Sequence, residues 1–371
     1  MTTTLILEDG SIYKGKHFGA YGTKIGELVF NTSMSGYQDI LTDPSYSNQM
    51  VIMAYPEIGN YGINLEDSKK TNCFGLIVKS YCKSESHYES KKNLSDFMKE
   101  KDIIGIEEID TRSLIIKLRE KGSMKCMLTT DEVVSENDIT EKIAATCVYK
   151  PNKNLIEDVT TNETYTINES GEIDLAFIDF GAKKETLNCL AKRGCKITVY
   201  PYNTSYETIL SNGHKGLFLS SGPGNPKDYT EQVKNLENLV GKIPMFGIGL
   251  GYQLLSIVLG AKTYKLKYGH RGVNYPVIDL VTKKVMMTDQ NHGYAIEKES
   301  LSGIMLETHK NLNDDTIEGF SAERLKIFGV QFNPESIVGL SDSSVIYDKW
   351  IELMKEYQAL PTRKADDMAN V

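Results

Sequence analysis

The sequence has no long apolar run, no basic stretch and no paired-cysteine motif. None of its apolar stretches reaches the length of a membrane span, so a membrane partner is not expected. Lys and Arg number 42 against 50 Asp and Glu, a formal net charge of −8. No basic cluster offsets this, which argues against nucleic acid as a partner. The six cysteines (Cys73, Cys82, Cys126, Cys147, Cys189 and Cys195) show no C-x-x-C spacing. A disulfide framework or a thiolate zinc site is therefore not expected, and reduced thiols point to the cytoplasm. The six histidines lack metal-ligand spacing, so no metal is expected. Residues Met1 to Asp9 lack a basic segment followed by a long apolar core and do not read as a secretory signal.

What is present is a soluble, globular composition, 40% hydrophobic and 25% charged, in a chain of 371 residues. That is enough for two domains with real cores. Residues 1–149 read as a mixed, β-rich domain of short strands. Leu5 to Leu7 and Ser11 to Tyr13 flank an Asp9-Gly10 turn, and Met50 to Tyr55 is an apolar strand. Residues 27–46 mix polar residues, aromatics and glycine, which suits a packed recognition loop better than a plain strand. Helical spacing covers Ser95 to Lys101 and Thr111 to Lys121, the second bracketed by Asp110 and Gly122. Residues 150–172 are polar and read as a linker with room for one strand. There is no internal repeat.

From Ile173 strands and helices alternate. Short apolar runs at 174–179, 196–200, 216–220 and 243–248 are separated by helical patterns at 183–193, 206–211 and 228–240. This predicts an α/β domain over 173–360 with a doubly wound, mostly parallel sheet. Strands and hairpins are expected over 261–332, then a last helix from Ser343 to Tyr357 and a loose tail over 361–371. Ligands of such sheets sit at the C-terminal strand ends. Two sharp loops fall there, Ser220 to Pro226 and Gly247 to Gly251.

The second loop joins an apolar strand to a helical pattern. Such a turn lifts one side chain, often a nucleophile, onto a helix N-terminus. Here the tip is Gly249, which presents no side chain, although glycine also suits any tight turn. A dinucleotide-binding reading of Gly247, Gly249 and Gly251 fits less well, because the third glycine falls one position early.

Phe246 to Gln253 resembles the nucleophile elbow of class I, triad-type glutamine amidotransferases, where the tip is cysteine and position 252 is commonly histidine. Ser220 to Pro226 resembles that family's oxyanion loop. Gln290 to Tyr294 and Val330 to Glu335 resemble its glutamine-holding and His-Pro-Glu segments. Phe30 to Tyr46, Tyr55 to Gly62, Ile109 to Arg112 and Lys267 to Gly272 narrow the resemblance to the small subunit of carbamoyl-phosphate synthetase, along nearly the whole chain. The resemblance implies an N-terminal docking domain, a C-terminal amidotransferase-like domain and a large-subunit partner. That partner takes ammonia from glutamine hydrolysis and uses ATP and magnesium, with no cofactor in the small subunit.

Carried over by position, the nucleophile is Gly249, the base Asn333 and the orienting acid Glu335. Glycine has no sulfur and an amide takes no proton near neutral pH. Tyr252 and Ser256 follow on the helix without an evident base. In a strand, Asn333 and Glu335 would share one face. Glutamine contacts are implied at Ser45, Gly222, Gly224, Leu250, Gln253, Asn291, Gly293 and Tyr294, with an oxyanion hole from the N–H groups of Gly222 and Leu250. His270 and His292 read equally as hydrogen-bonded loop histidines. The expected function is a small subunit that binds L-glutamine without hydrolysing it and supports an ammonia-using large subunit. Two alternatives stay open: an active glutaminase with another nucleophile, and a stand-alone glutamine or nucleotide sensor.

Overall fold

The computed structural model describes residues 1–64, 72–132, 135–150, 152–335 and 342–359. The expected tail over 361–371 lies outside them.

The first strand, Thr2–Leu7, is buried at every residue after Thr2, and it belongs to a closed barrel of seven strands. Thr2–Leu7 pairs antiparallel with Ile12–Gly19, as the Asp9-Gly10 turn predicts. Thr23–Asn31 lies between Gln49–Met53, in parallel, and Met124–Thr129, antiparallel. This corrects the loop expected over 27–46: its first residues are strand, because Leu28, Val29 and Phe30 all find buried positions. Only the remainder is irregular, with a short helix Tyr37–Thr42 and a 3-10 turn Pro44–Tyr46. Helix Thr111–Lys121 has Asp110 as its cap, the carboxylate accepting from Ser113 N at 3.0 Å. Helix Glu136–Val148 adds to the short strands expected of this domain. Its N-cap is Ser135, bonded to Asp138 N at 3.1 Å.

The polar stretch after residue 150 is closely held. Ile156 is fully buried in the core of the following sheet. Strand Tyr165–Ile167 extends that sheet antiparallel at its edge.

The ten-stranded sheet runs in parallel through Cys195–Pro201, Ile173–Asp179, Gly216–Leu219, Met245–Ile248 and Ile327–Val330. Its far half is antiparallel and ends in a long hairpin of Thr263–Asp279 with Val285–Ile296. One face buries Phe177, Phe218, Phe246, Phe328 and Trp350 in contact, with ring centroids 5.1–5.6 Å apart. Helix Val345–Ala359 supplies Trp350 and covers that face. The parallel run brings the ends of Gly216–Leu219 and Met245–Ile248 side by side, so the two sharp loops meet.

Phe218 contacts the rings of Phe177, Phe246, Trp350 and Tyr347 and is fully buried. Phe218→Ala is expected to lower unfolding stability by about 3–5 kcal/mol in urea denaturation.

Candidate functional site

Gly249 sits at φ +51°, ψ −114°, a conformation that side chains rarely adopt. Its neighbours hold it there: Gly249 N donates to Val330 O at 3.1 Å and Gly251 N to Ser220 O at 3.0 Å. The flanking glycines allow close approach. A Cβ at 247 would stand 2.5 Å from Gly251 C, and one at 251 would stand 2.4 Å from Leu219 O. At 249 itself a Cβ would meet Ser221 Cβ at 3.0 Å, so a side chain fits only with a small shift. Helix Leu250–Val258 starts immediately after, and the Leu250 N–H is among its orphan N-terminal donors.

Beside the elbow, Tyr229 pins the loop 220–226 by donating its hydroxyl to Pro223 O at 2.9 Å. Gly224, at φ +96°, leaves room for that hydroxyl. Gln253 donates to Tyr294 O at 3.0 Å and to Gln331 Oε1 at 2.8 Å, joining the helix to the hairpin. The two loops, the hairpin and the N-terminal barrel enclose a cleft of about 500 Å³. Ser45, Gly222, Gly224, Gly249, Leu250, Gln253, Asn291, Gly293, Tyr294 and Asn333 all line it. Glu335 alone of the candidate residues does not.

Asn333 and Glu335 part company for a specific reason. The strand ends at Val330, so residues 331–335 are irregular and the expected shared face is absent. Asn333 N donates to Asp289 O at 2.9 Å, and its Nδ2 donates to Asp289 Oδ2 at 3.3 Å. Glu335 turns away: Thr186 donates to Oε1 at 2.6 Å and Tyr347 to Oε2. Burial raises the Glu335 carboxyl above its usual range, against the opposing pull of Lys183.

Sequence reasoning missed the charge that organises this region. Lys183 lies buried between Asp43, at 3.1 Å, and Asp289, at 3.4 Å. Burial works against its charge, but the two carboxylates outweigh it and hold its pKa well above the ordinary value. Asp43 also accepts from Ser45 N at 2.8 Å, so one ionic chain runs from Ser45 to Asn333 across both domains. Asp39 lies on its edge, lifted to about 6 by burial while Lys183 pulls it down. No periodic signal marks Lys183, because it contacts residues distant in sequence.

Tyr252 and Ser256 are not nucleophiles in waiting. Tyr252 is buried, its hydroxyl donating to Ile317 O at 3.1 Å, and Ser256 donates to Gln253 O at 2.7 Å. His270 and His292 stand on the hairpin strands, facing each other across the register. With Glu318 they place ligand atoms within 4.8 Å of one another, a set that spacing did not foretell. Their nitrogens are engaged: His270 with Asp314 at 2.8 Å, His292 with Gln290 at 3.0 Å and Tyr294 O at 2.8 Å. Burial disfavours the His270 cation, yet Asp314 and Glu318 raise its pKa to about 9. These contacts join the three residues into a buried, hydrogen-bonded ion network.

The sheet, the strained elbow and the loop beside it define a class I glutamine amidotransferase-like domain with glycine at the tip of its elbow. A family profile described as "Glutamine amidotransferase class-I" matches residues 176–353. A second, "Carbamoyl-phosphate synthase small chain, CPSase domain", matches residues 5–128. The chain is 42% identical to the carbamoyl phosphate synthase small chain of Clostridium acetobutylicum over 95% of its length and 100% of that protein's. It is 43% identical to the small chains of Clostridium perfringens and Chlorobaculum tepidum, over 95% of its length and 99% and 97% of theirs. The chain belongs to the carbamoyl-phosphate synthase small-chain family. Among the described residues no helix is long and apolar enough to cross a membrane.

Two outcomes follow from this geometry. Gly249→Cys is expected to cost about 1–3 kcal/mol in unfolding stability, because cysteine must adopt the strained conformation. His270 has its pKa raised on folding, so its contribution is complete below about pH 6.5 and is lost as pH rises through about 9. Denaturation between pH 6 and 9.5 should show a loss of about 3 kcal/mol that His270→Gln abolishes.

Proposed function

We propose that this chain is a carbamoyl-phosphate synthase small chain that keeps the framework of a glutamine pocket and has lost hydrolysis by the thiolate route. The observation that carries the reading is Gly249. The elbow retains its strained geometry, and no atom stands where a nucleophile must. Thiolate catalysis also needs a base and a group to orient it. Asn333 offers an amide whose Nδ2 is given to Asp289, and both oxygens of Glu335 are taken by Thr186 and Tyr347. The nearest hydroxyl-bearing residue to the missing side chain is Ser221, whose Oγ has no hydrogen-bond partner and so no base to activate it.

In this reading Ser45, Gly222, Gly224, Leu250, Gln253, Asn291, Gly293 and Tyr294 hold L-glutamine. The large chain is the partner, and ATP and magnesium belong to its chemistry. The small chain acts on it as a structural or regulatory subunit while free ammonia supplies the nitrogen. A cytoplasmic setting suits six free thiols.

The test is carbamoyl-phosphate synthesis by the chain reconstituted with a large chain, given glutamine or ammonium. Synthesis with ammonium alone, increased by adding this chain, is the expected result. Loss of the nucleophile lowers hydrolysis on the order of a millionfold, so glutamine should give background only. Glutamine-driven synthesis, or a covalent adduct with a glutamine-mimicking electrophile, would overturn the reading. Gly249→Cys should gain that adduct by mass spectrometry.

A further inference from the structure

The cleft contains a buried arginine that lacks an anionic partner. Arg271 stands directly across the hairpin from Asn291, so the two side chains leave the same face. Arg271 is 3% exposed. Its Nη1 donates to Tyr268 O at 2.8 Å, its Nε has no partner, and no ion pair forms with it among the described residues. Glu27 feels its charge but is already held by Lys265 at 2.6 Å, Ser123 at 2.7 Å and Gln49 at 3.1 Å. A buried cation left in this state is costly unless a ligand brings the countercharge.

The recess is made by glycine. A Cβ at 269 would stand 2.3 Å from Arg271 Nη1, and one at 293 would stand 3.4 Å from Nη2. Three further buried atoms on the cleft wall lack partners: Asn291 Nδ2, Ser221 Oγ and Gln331 Nε2. The amide of Gln331 is oriented by the bond its Oε1 accepts from Gln253, which leaves its buried nitrogen as an unmatched donor. Five basic and three acidic side chains line the cleft, a net +2 in a chain of −8. Unmatched donors and uncompensated positive charge call for an acceptor-rich, negatively charged group.

The orphans fall at two poles. Ser221 and Gln331 flank the Gly249 position, where the nearest atoms to a Cβ are theirs. Arg271 and Asn291 form the other pole on the hairpin. We propose that Arg271, with Asn291 as second donor, is a carboxylate-binding subsite of this cleft, taking the α-carboxylate of a small amino acid whose side-chain end lies toward Gly249. This rests on reading the cleft as a glutamine pocket.

Isothermal titration of the full chain separates the two ideas. The ligands are L-glutamine, its α-carboxamide and glutarate. The chain should bind L-glutamine at least about tenfold more tightly than the α-carboxamide. Arg271→Gln should erase that preference and Arg271→Lys keep part of it. Equal binding of L-glutamine and its α-carboxamide overturns the subsite and leaves the glutamine pocket standing, as does an undiminished affinity in a folded Arg271→Gln chain. Binding of glutarate but not L-glutamine, lost in Arg271→Gln, supports the subsite and overturns the glutamine reading. Binding of none of the three overturns both. Where Arg271→Gln does not fold, the ligand comparison on the unaltered chain decides.

Discussion

The buried ammonium of Lys183 ties the barrel to the amidotransferase-like domain at the centre of the site. A lone buried cation would be costly, and either neighbouring carboxylate alone would be too. Asp43 comes from the barrel and Asp289 from the long hairpin, so the charge is satisfied only when both domains are docked. The same acids then reach outward: Asp43 to the backbone of Ser45 and Asp289 to Asn333. Placement of the cleft walls therefore follows from one ion network.

The elbow shows a different economy. Its shape is set by close backbone approach at Gly247 and Gly251 and by hydrogen bonds from the neighbouring strands, none of which involves a side chain at 249. The strained turn therefore does not depend on a side chain at 249, and glycine relieves the strain that any other residue would carry there. Around Glu335 the structure has closed in on itself. Thr186 and Tyr347 donate to both oxygens of its buried carboxyl.

In the proposed reading, binding and chemistry separate. The triad positions hold glycine, an amide and an engaged carboxyl, while Arg271 Nε, Asn291 Nδ2, Gln331 Nε2 and Ser221 Oγ remain unpartnered on one cleft. A wall rich in unmatched donors is a liability in an empty pocket and an asset in a filled one. That asymmetry favours a ligand-holding role over an inert relic.

Much of this was legible in the residues. The alternation of short apolar runs with helical spacing after Ile173 specifies a parallel sheet, and local caps such as Asp110 and Gly122 mark helix ends. Glycine density marks the elbow and puts a residue without a side chain at its tip. Those properties depend on neighbours in sequence, so sequence suffices. The strand at the start of 27–46 escaped because burial of Leu28, Val29 and Phe30 overrode local composition, whereas the mostly exposed helix 136–148 rests on its Ser135 cap. The ionic chain through Lys183, the divergence of Asn333 from Glu335 and the unpaired charge of Arg271 could be decided only by tertiary structure. Each depends on which groups from remote segments meet where water is excluded, and no spacing along the chain encodes that.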